Sequence, residues 1–94
     1  MTHTDIANEA IAARVRDVVG SLVPGGAREV GSTDQLAGDL GFDSLALLEL
    51  ALALEVEFDL HAIPEEHAVS MVTVADIEAV IAELMTEPRG AGKG

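Results

Sequence analysis

The stretch Gly38-Asp39-Leu40-Gly41-Phe42-Asp43-Ser44-Leu45 leads directly into Ala46-Leu47-Leu48-Glu49-Leu50 and on to Phe58, an apolar run with helical spacing. Asp43 is a favoured N-cap, because its short carboxylate can accept from a first-turn N–H that has no intrahelical partner. Ser44 then stands at the first helical position. Its hydroxyl is expected beside unpaired N–H groups and the positive end of the helix dipole, a field that stabilises an anion such as a phosphate ester. Phe42 before the cap and Leu47 in the first turn have the spacing of a hydrophobic staple, which would set the entry angle of the chain and hold Ser44.

The helix predicted from Ser44 to Phe58 carries two apolar faces. Leu47, Leu50, Ala51, Leu54 and Phe58 line one; Leu45, Leu48, Leu52 and Val56 line the other, interrupted by Glu49. A helix apolar over most of its surface is either central in its bundle or keeps one stripe for a partner. Upstream, Ile11, Val15, Val18, Val19 and Leu22 recur at helical intervals, with Glu9, Arg14, Arg16 and Asp17 on other faces, and predict an amphipathic helix over 4–22. Pro24-Gly25-Gly26 stops it. From there to Gly41 no period is sustained, so a long loop pinned by Val30, Leu36 and Leu40 is expected, with a helical turn near Asp34 to Ala37.

Downstream, Ile63-Pro64-Glu65-Glu66-His67-Ala68 predicts a short helix started by Pro, its glutamates favouring the N-terminus. Thr73-Val74-Ala75-Asp76 resembles a capping box with Asp in place of Glu or Gln, and Ile77, Val80, Ile81 and Leu84 mark a last helix that Pro88 ends. Neither strand alternation nor an internal repeat is present. The expected fold is all-α: a small bundle of three main helices plus one short helix, with a long loop between helices one and two. The helical domain is expected over 1–88, with 89–94 a flexible Gly-rich tail.

Composition bounds the partners. The 94 residues make one domain with a modest core, and at 49% hydrophobic but 2% aromatic that core is aliphatic, with soft walls that could part for a linear apolar chain. Five Lys+Arg against 17 Asp+Glu give a net charge of -12, which repels nucleic acid and anionic membrane surfaces and favours basic partner proteins. With no cysteine, any thioester chemistry needs a thiol imported on a cofactor. Met1-Thr2-His3-Thr4-Asp5 lacks the basic start of a signal peptide, and no apolar stretch suits a bilayer span, so a soluble, untargeted, cytoplasmic chain is expected, and it is expected to be a monomer. His3, His61 and His67 lack metal-ligand spacing and read as surface residues, while Glu57 reads as part of a solvated face. Ser44 has no sequence-evident base and the carboxylates no evident cleft; no catalytic residue and no enzyme activity are expected.

The block Asp39-Leu40-Gly41-Phe42-Asp43-Ser44-Leu45, followed by Glu49-Leu50 and Glu55-Val56-Glu57-Phe58, closely resembles the acyl carrier proteins. The likeness extends over nearly the whole chain, through the acidity, the long first loop, Ile63-Pro64 and Thr73-Val74-Ala75-Asp76. It implies that a phosphopantetheinyl transferase attaches 4′-phosphopantetheine from coenzyme A to Ser44 through a phosphodiester, and that the arm's thiol carries an acyl group. Ser44 is then a tether, and Asp43 helps to present it. By the same resemblance Asp43, Leu45, Leu48, Glu49, Leu52 and Glu55 form the face that docks on basic patches of ketosynthases, acyltransferases and other acyl-processing enzymes. Weak, steered and quickly reversed contacts suit a carrier that visits several enzymes.

Ala46, Val56 and the longer Leu60-His61-Ala62 connection depart from the commonest pattern and make this helix more apolar than that of a primary fatty-acid carrier. The departures favour a discrete carrier of a specialised pathway of polyketide or mixed type. Two alternatives stand beside this one. An aminoacyl or peptidyl carrier usually shows a Gly-Gly-His/Asp-Ser motif, whereas Gly41-Phe42-Asp43-Ser44 is of the acyl type. An acidic helical adaptor would bind a basic partner through the same helix without any cofactor.

Overall fold

In the computed structural model residues 3–61, 63, 64, 67 and 70–86 are described, the side chains of 3–8 and 86 excepted. Helix α1 spans His3–Ser21 and turns Val15 and Val19 fully into the core, with Ile11 and Val18 packed at its margin. Leu22, expected on that face, lies beyond the last helical residue and stays 37% exposed. Its N–H donates to Val19 O at 3.1 Å, and the turn brings Val23 into the core instead. The chain then doubles back on α1. Arg28 N–H donates to Gly20 O at 3.0 Å, an approach so close that a Cβ on Gly20 would lie 2.3 Å from Arg28 O.

The long connection is held by its own hydrogen bonds and by Val30, Leu36, Leu40 and Phe42, all buried. Its helical turn lies later than 34–37. Asp39 N–H donates to Gln35 O at 2.9 Å and Gly41 N–H to Ala37 O at 3.2 Å, while the Asp39 carboxylate accepts Gln35 N–H at 2.7 Å. Asp34 is excluded from that turn because its carboxylate accepts Gly31 N–H at 2.9 Å and its carbonyl accepts Val74 N–H at 3.0 Å.

Helix α2 spans Ser44–Glu57, and helix α3 spans Val74–Thr86. The capping box closes as its residues predict: Asp76 N–H donates to Thr73 Oγ1 at 3.2 Å, and Asp76 Oδ2 accepts Thr73 N–H at 3.0 Å and Val72 N–H at 2.8 Å. These backbone N–H groups, Thr73 first and Val72 next, hold the Asp76 carboxyl below the ordinary value of 3.8, against a smaller desolvation effect. The loop completes the cap, since Ala75 N–H donates to Ser32 O at 2.8 Å and Leu36 N–H to Val72 O at 2.9 Å beside a single antiparallel bridge, Gln35 to Thr73. Pro88, the expected tail over 89–94, and Glu65, Glu66 and Ala68 of the expected short helix lie outside the described residues. At that short segment His67 N–H donates to Pro64 O at 3.0 Å, and Ser70 N–H to His67 O at 3.1 Å.

Helix α1 packs chiefly on α3 and secondarily on α2. Arg16 Nη1 reaches Glu78 Oε2 at 3.2 Å, and Ser32 Oγ donates to the same oxygen at 2.6 Å, which ties α1, the loop and α3 together. Glu57, expected on a merely solvated face, pairs with Arg14 of α1, whose guanidinium also sits 5.4 Å from the centre of the Phe58 ring. Helices α2 and α3 barely touch, and the space between them stays apolar and partly open.

Candidate functional site

Gly41 supplies the left-handed turn, φ +80°, that brings Phe42 into the core and points the next residue at the start of α2. Phe42 N–H donates to Leu36 O at 2.9 Å, and both Phe42 and Leu47 join the core cluster, as a staple requires. Asp43 adopts an extended backbone and its Oδ1 accepts Ala46 N–H at 2.9 Å. Ser44 is therefore placed by anchors on both sides. It is exposed, and neither its hydroxyl nor its N–H, nor that of Leu45, has a hydrogen-bond partner among the described residues. Two unpaired donors and the helix dipole at one exposed hydroxyl suit a phosphate ester there. No base contacts Ser44 Oγ among the described residues, and no group of three His, Asp or Glu side chains that could hold a metal occurs among them.

Beneath Ser44 lies a cavity of about 220 Å³. Its floor is Leu36, Leu50, Leu54 and Ile77, all deeply buried, and Ile63 and Met71 close one side. Ser44 and Leu48 are the exposed members of the lining and mark the mouth. An enclosed apolar space of about 150 Å³ already stays dry and accepts a small hydrocarbon. The space has a simple origin: α2 meets α1 rather than α3, so the apolar side chains of α2 and Ile77 of α3 face each other across a gap.

The two apolar faces of α2 have opposite fates. Leu50, Leu54 and the C-cap Phe58 are buried, whereas Leu45, Leu48, Leu52 and Val56 are 64%, 57%, 53% and 82% exposed. Glu49 lies exposed within that outward stripe, and Asp43 is exposed at its start. Glu55 does not join them. Partly buried, its Oε2 accepts Ile63 N–H at 3.0 Å, and its carbonyl accepts Leu60 N–H at 2.8 Å. The latter bond belongs to a Schellman closure of α2 in which Asp59, at φ 56°, takes the left-handed position usually held by Gly. Ile63, Met71 and Leu36 were not legible as cavity walls, because their membership depends on contacts between distant segments; the Ile63-Pro64 pair was the nearest local signal.

No helix among the described residues is long and apolar enough to cross a membrane. The chain matches the family described as phosphopantetheine attachment site over residues 9–81. It is 36% identical over 86 residues to a protein named acyl carrier protein from Streptomyces coelicolor, an alignment covering 92% of this chain and 85% of that one. A solved structure of a Mycobacterium tuberculosis protein assigned as an acyl carrier protein superposes with a TM-score of 0.61 at 36% identity, over 81% of this chain and 95% of that chain. The family match spans well over half of the sequence and carries the cofactor 4′-phosphopantetheine with it, and this chain belongs to the phosphopantetheine-bearing acyl carrier proteins.

Proposed function

We propose that Ser44 Oγ is the attachment point of 4′-phosphopantetheine and that the protein holds acyl intermediates there as thioesters between successive enzymes. The observation that carries this reading is one exposed hydroxyl at the start of α2, without a partner among the described residues and on the rim of an apolar cavity. The residues fit the group. The free N–H groups of Ser44 and Leu45 suit the phosphodiester anion, and Asp43 holds the first turn so that both stay aimed at it. During loading a transferase takes the Ser44 hydroxyl proton as Oγ bonds to the phosphorus, and the adenosine bisphosphate part of coenzyme A leaves. Once bound, the group supplies the thiol that this cysteine-free chain lacks.

Ser44 acts as a tether, in keeping with the lack of a base at its Oγ among the described residues, and the chain serves as a carrier whose transfers its partner enzymes catalyse. An acyl chain reaching back from the arm meets Leu48 and then the buried floor at Leu54 and Ile77, which exclude water. This favours an apolar acyl cargo over an aminoacyl one. Leu45, Leu48 and Leu52, with Asp43 and Glu49, form the surface for the transferase, ketosynthases and acyltransferases, whose basic patches the charge of -12 attracts. A docking face this apolar supports a discrete carrier of a specialised, polyketide-type pathway.

Intact-protein mass before and after incubation with coenzyme A and a broad-specificity phosphopantetheinyl transferase tests the reading, with peptide mapping of the added group. One phosphopantetheine on Ser44 is expected, and none on Ser44→Ala, which keeps its fold. Failure of folded wild type with two different transferases would overturn the carrier and leave an acidic adaptor binding through α2.

A further inference from the structure

Among the acidic residues of α2, Glu55 is the one turned inward, and it grips the following connection at two points. Its main-chain carbonyl holds Leu60 N–H at 2.8 Å and its carboxylate holds Ile63 N–H at 3.0 Å. Leu60 and Ile63 both pack against the core, and Ile63 is a wall of the cavity beneath Ser44. His61, between them, is exposed. Between the end of α2 and Ile63 the described residues, 58–61, form a turn and a bend rather than a regular helix, so the position of that wall has little support from its own segment. The bond from Glu55 ties Ile63, a wall of the cavity, to α2.

We infer that Glu55 is a positioning residue for the cargo: through Ile63 N–H it holds the wall that keeps an acyl chain, tethered at Ser44, inside the apolar cavity. This rests on the attachment proposed above. A charged carboxylate accepting a partly buried N–H makes a stronger hydrogen bond than a neutral acceptor, and the bond lies within one short segment, so its loss loosens Ile63 locally. Because Glu55 is spent inside the molecule, the outward stripe of α2 carries Glu49 as its central charge.

The test is amide hydrogen exchange by NMR on the unmodified wild type, Glu55→Ala and Glu55→Gln. Exchange at Ile63 should rise at least about tenfold in Glu55→Ala, the ratio at the lower end for one hydrogen bond to a charged acceptor. Leu60, held by a main-chain carbonyl, is the internal control and should stay unchanged. Glu55→Gln, whose amide oxygen can accept the same N–H, should keep most of the protection. Each protein is then loaded with octanoyl-phosphopantetheine, and octanoyl-dependent shifts at the Leu54 and Ile77 methyls are read against phosphopantetheine alone. The shifts should fall about threefold in Glu55→Ala as the chain leaves the cavity, and persist in Glu55→Gln.

Unchanged exchange at Ile63, or loosened exchange with undiminished octanoyl shifts, would overturn the inference. So would a matching rise at Leu60, which would mean a general loss of stability. Were Glu55→Ala not to fold, Glu55→Asp, one methylene shorter, gives the same readouts with the same expected directions. A wild type that takes no phosphopantetheine, or shows no octanoyl shifts, would instead refute the attachment or the cavity reading; the exchange at Ile63 in unmodified protein reports on the latch in either case.

Discussion

Replacing Gly20 by Ala sets two opposed effects against each other inside α1. Intrinsic propensity favours Ala over Gly within a helix by about 1 kcal/mol. The added methyl, however, would lie 2.3 Å from Arg28 O and 3.5 Å from its carbonyl carbon. A contact with main chain cannot be relieved by rotating a side chain, so the loop must move. Overpacking of this kind costs about 1–3 kcal/mol. The displaced segment also weakens the 3.0 Å bond from Arg28 N–H to Gly20 O, about 1 kcal/mol, and disturbs Val30, which is buried just beyond it. Together these outweigh the propensity gain and leave a net loss of about 1–3 kcal/mol. For a domain of this size that lowers Tm by on the order of 10 °C. Urea and thermal unfolding of wild type and Gly20→Ala, followed by circular dichroism, measure it. Phosphopantetheine loading should persist, because the second half of the loop is held independently, by Leu36 N–H on Val72 O just before α3 and by Val74 N–H of α3 on Asp34 O. A Gly20→Ala variant as stable as wild type would refute the argument, since propensity would then have prevailed over the backbone contact.

Three further outcomes are expected. Asp76, with its carboxyl pKa lowered, contributes stability that is complete above the ordinary value of 3.8 and is lost as pH falls through the lower folded value; urea midpoints measured from pH 6 down to pH 3, about the span in which carboxylates titrate, should show a drop that Asp76→Asn flattens. Asp59→Gly should exceed Asp59→Ala in stability by about 1 kcal/mol, because both remove the same charge and only Gly accepts the left-handed backbone without strain; equal melting temperatures would contradict the Schellman closure. Leu52→Gln should leave unfolding within about 0.5 kcal/mol of wild type, since Leu52 is 53% exposed and Gln is a good helix former. The same variant should lower kcat/KM of phosphopantetheinyl transfer to Ser44 several-fold, and an unchanged value would remove Leu52 from the docking face.

The parts legible in the sequence are those governed by neighbours along the chain. The three helices were bounded to within a residue or two, since capping by Asp43, the Thr73 and Asp76 box and the Pro24-Gly25-Gly26 stop act over a single turn. The candidate attachment residue was readable for the same reason: an N-cap, a first-turn hydroxyl and a staple are all local. Tertiary structure decided which face of α2 is buried. Leu45, Leu48, Leu52 and Val56 match the opposite stripe in spacing and hydrophobicity, so the sequence period has no preferred phase, and only the positions of α1 and the loop select one. Nothing beside Gly20 in the sequence marks the close approach of Arg28, which only the fold brings onto it. Glu57 reads as part of a solvated face and Glu55, from the resemblance, as part of the docking face. Their fates diverge because one meets Arg14 across a helix interface and the other meets an N–H freed by an irregular connection. Contacts between segments depend on distances that no local propensity encodes, and these bring Ile63, Met71 and Ile77 to one cavity with Ser44 in its lining.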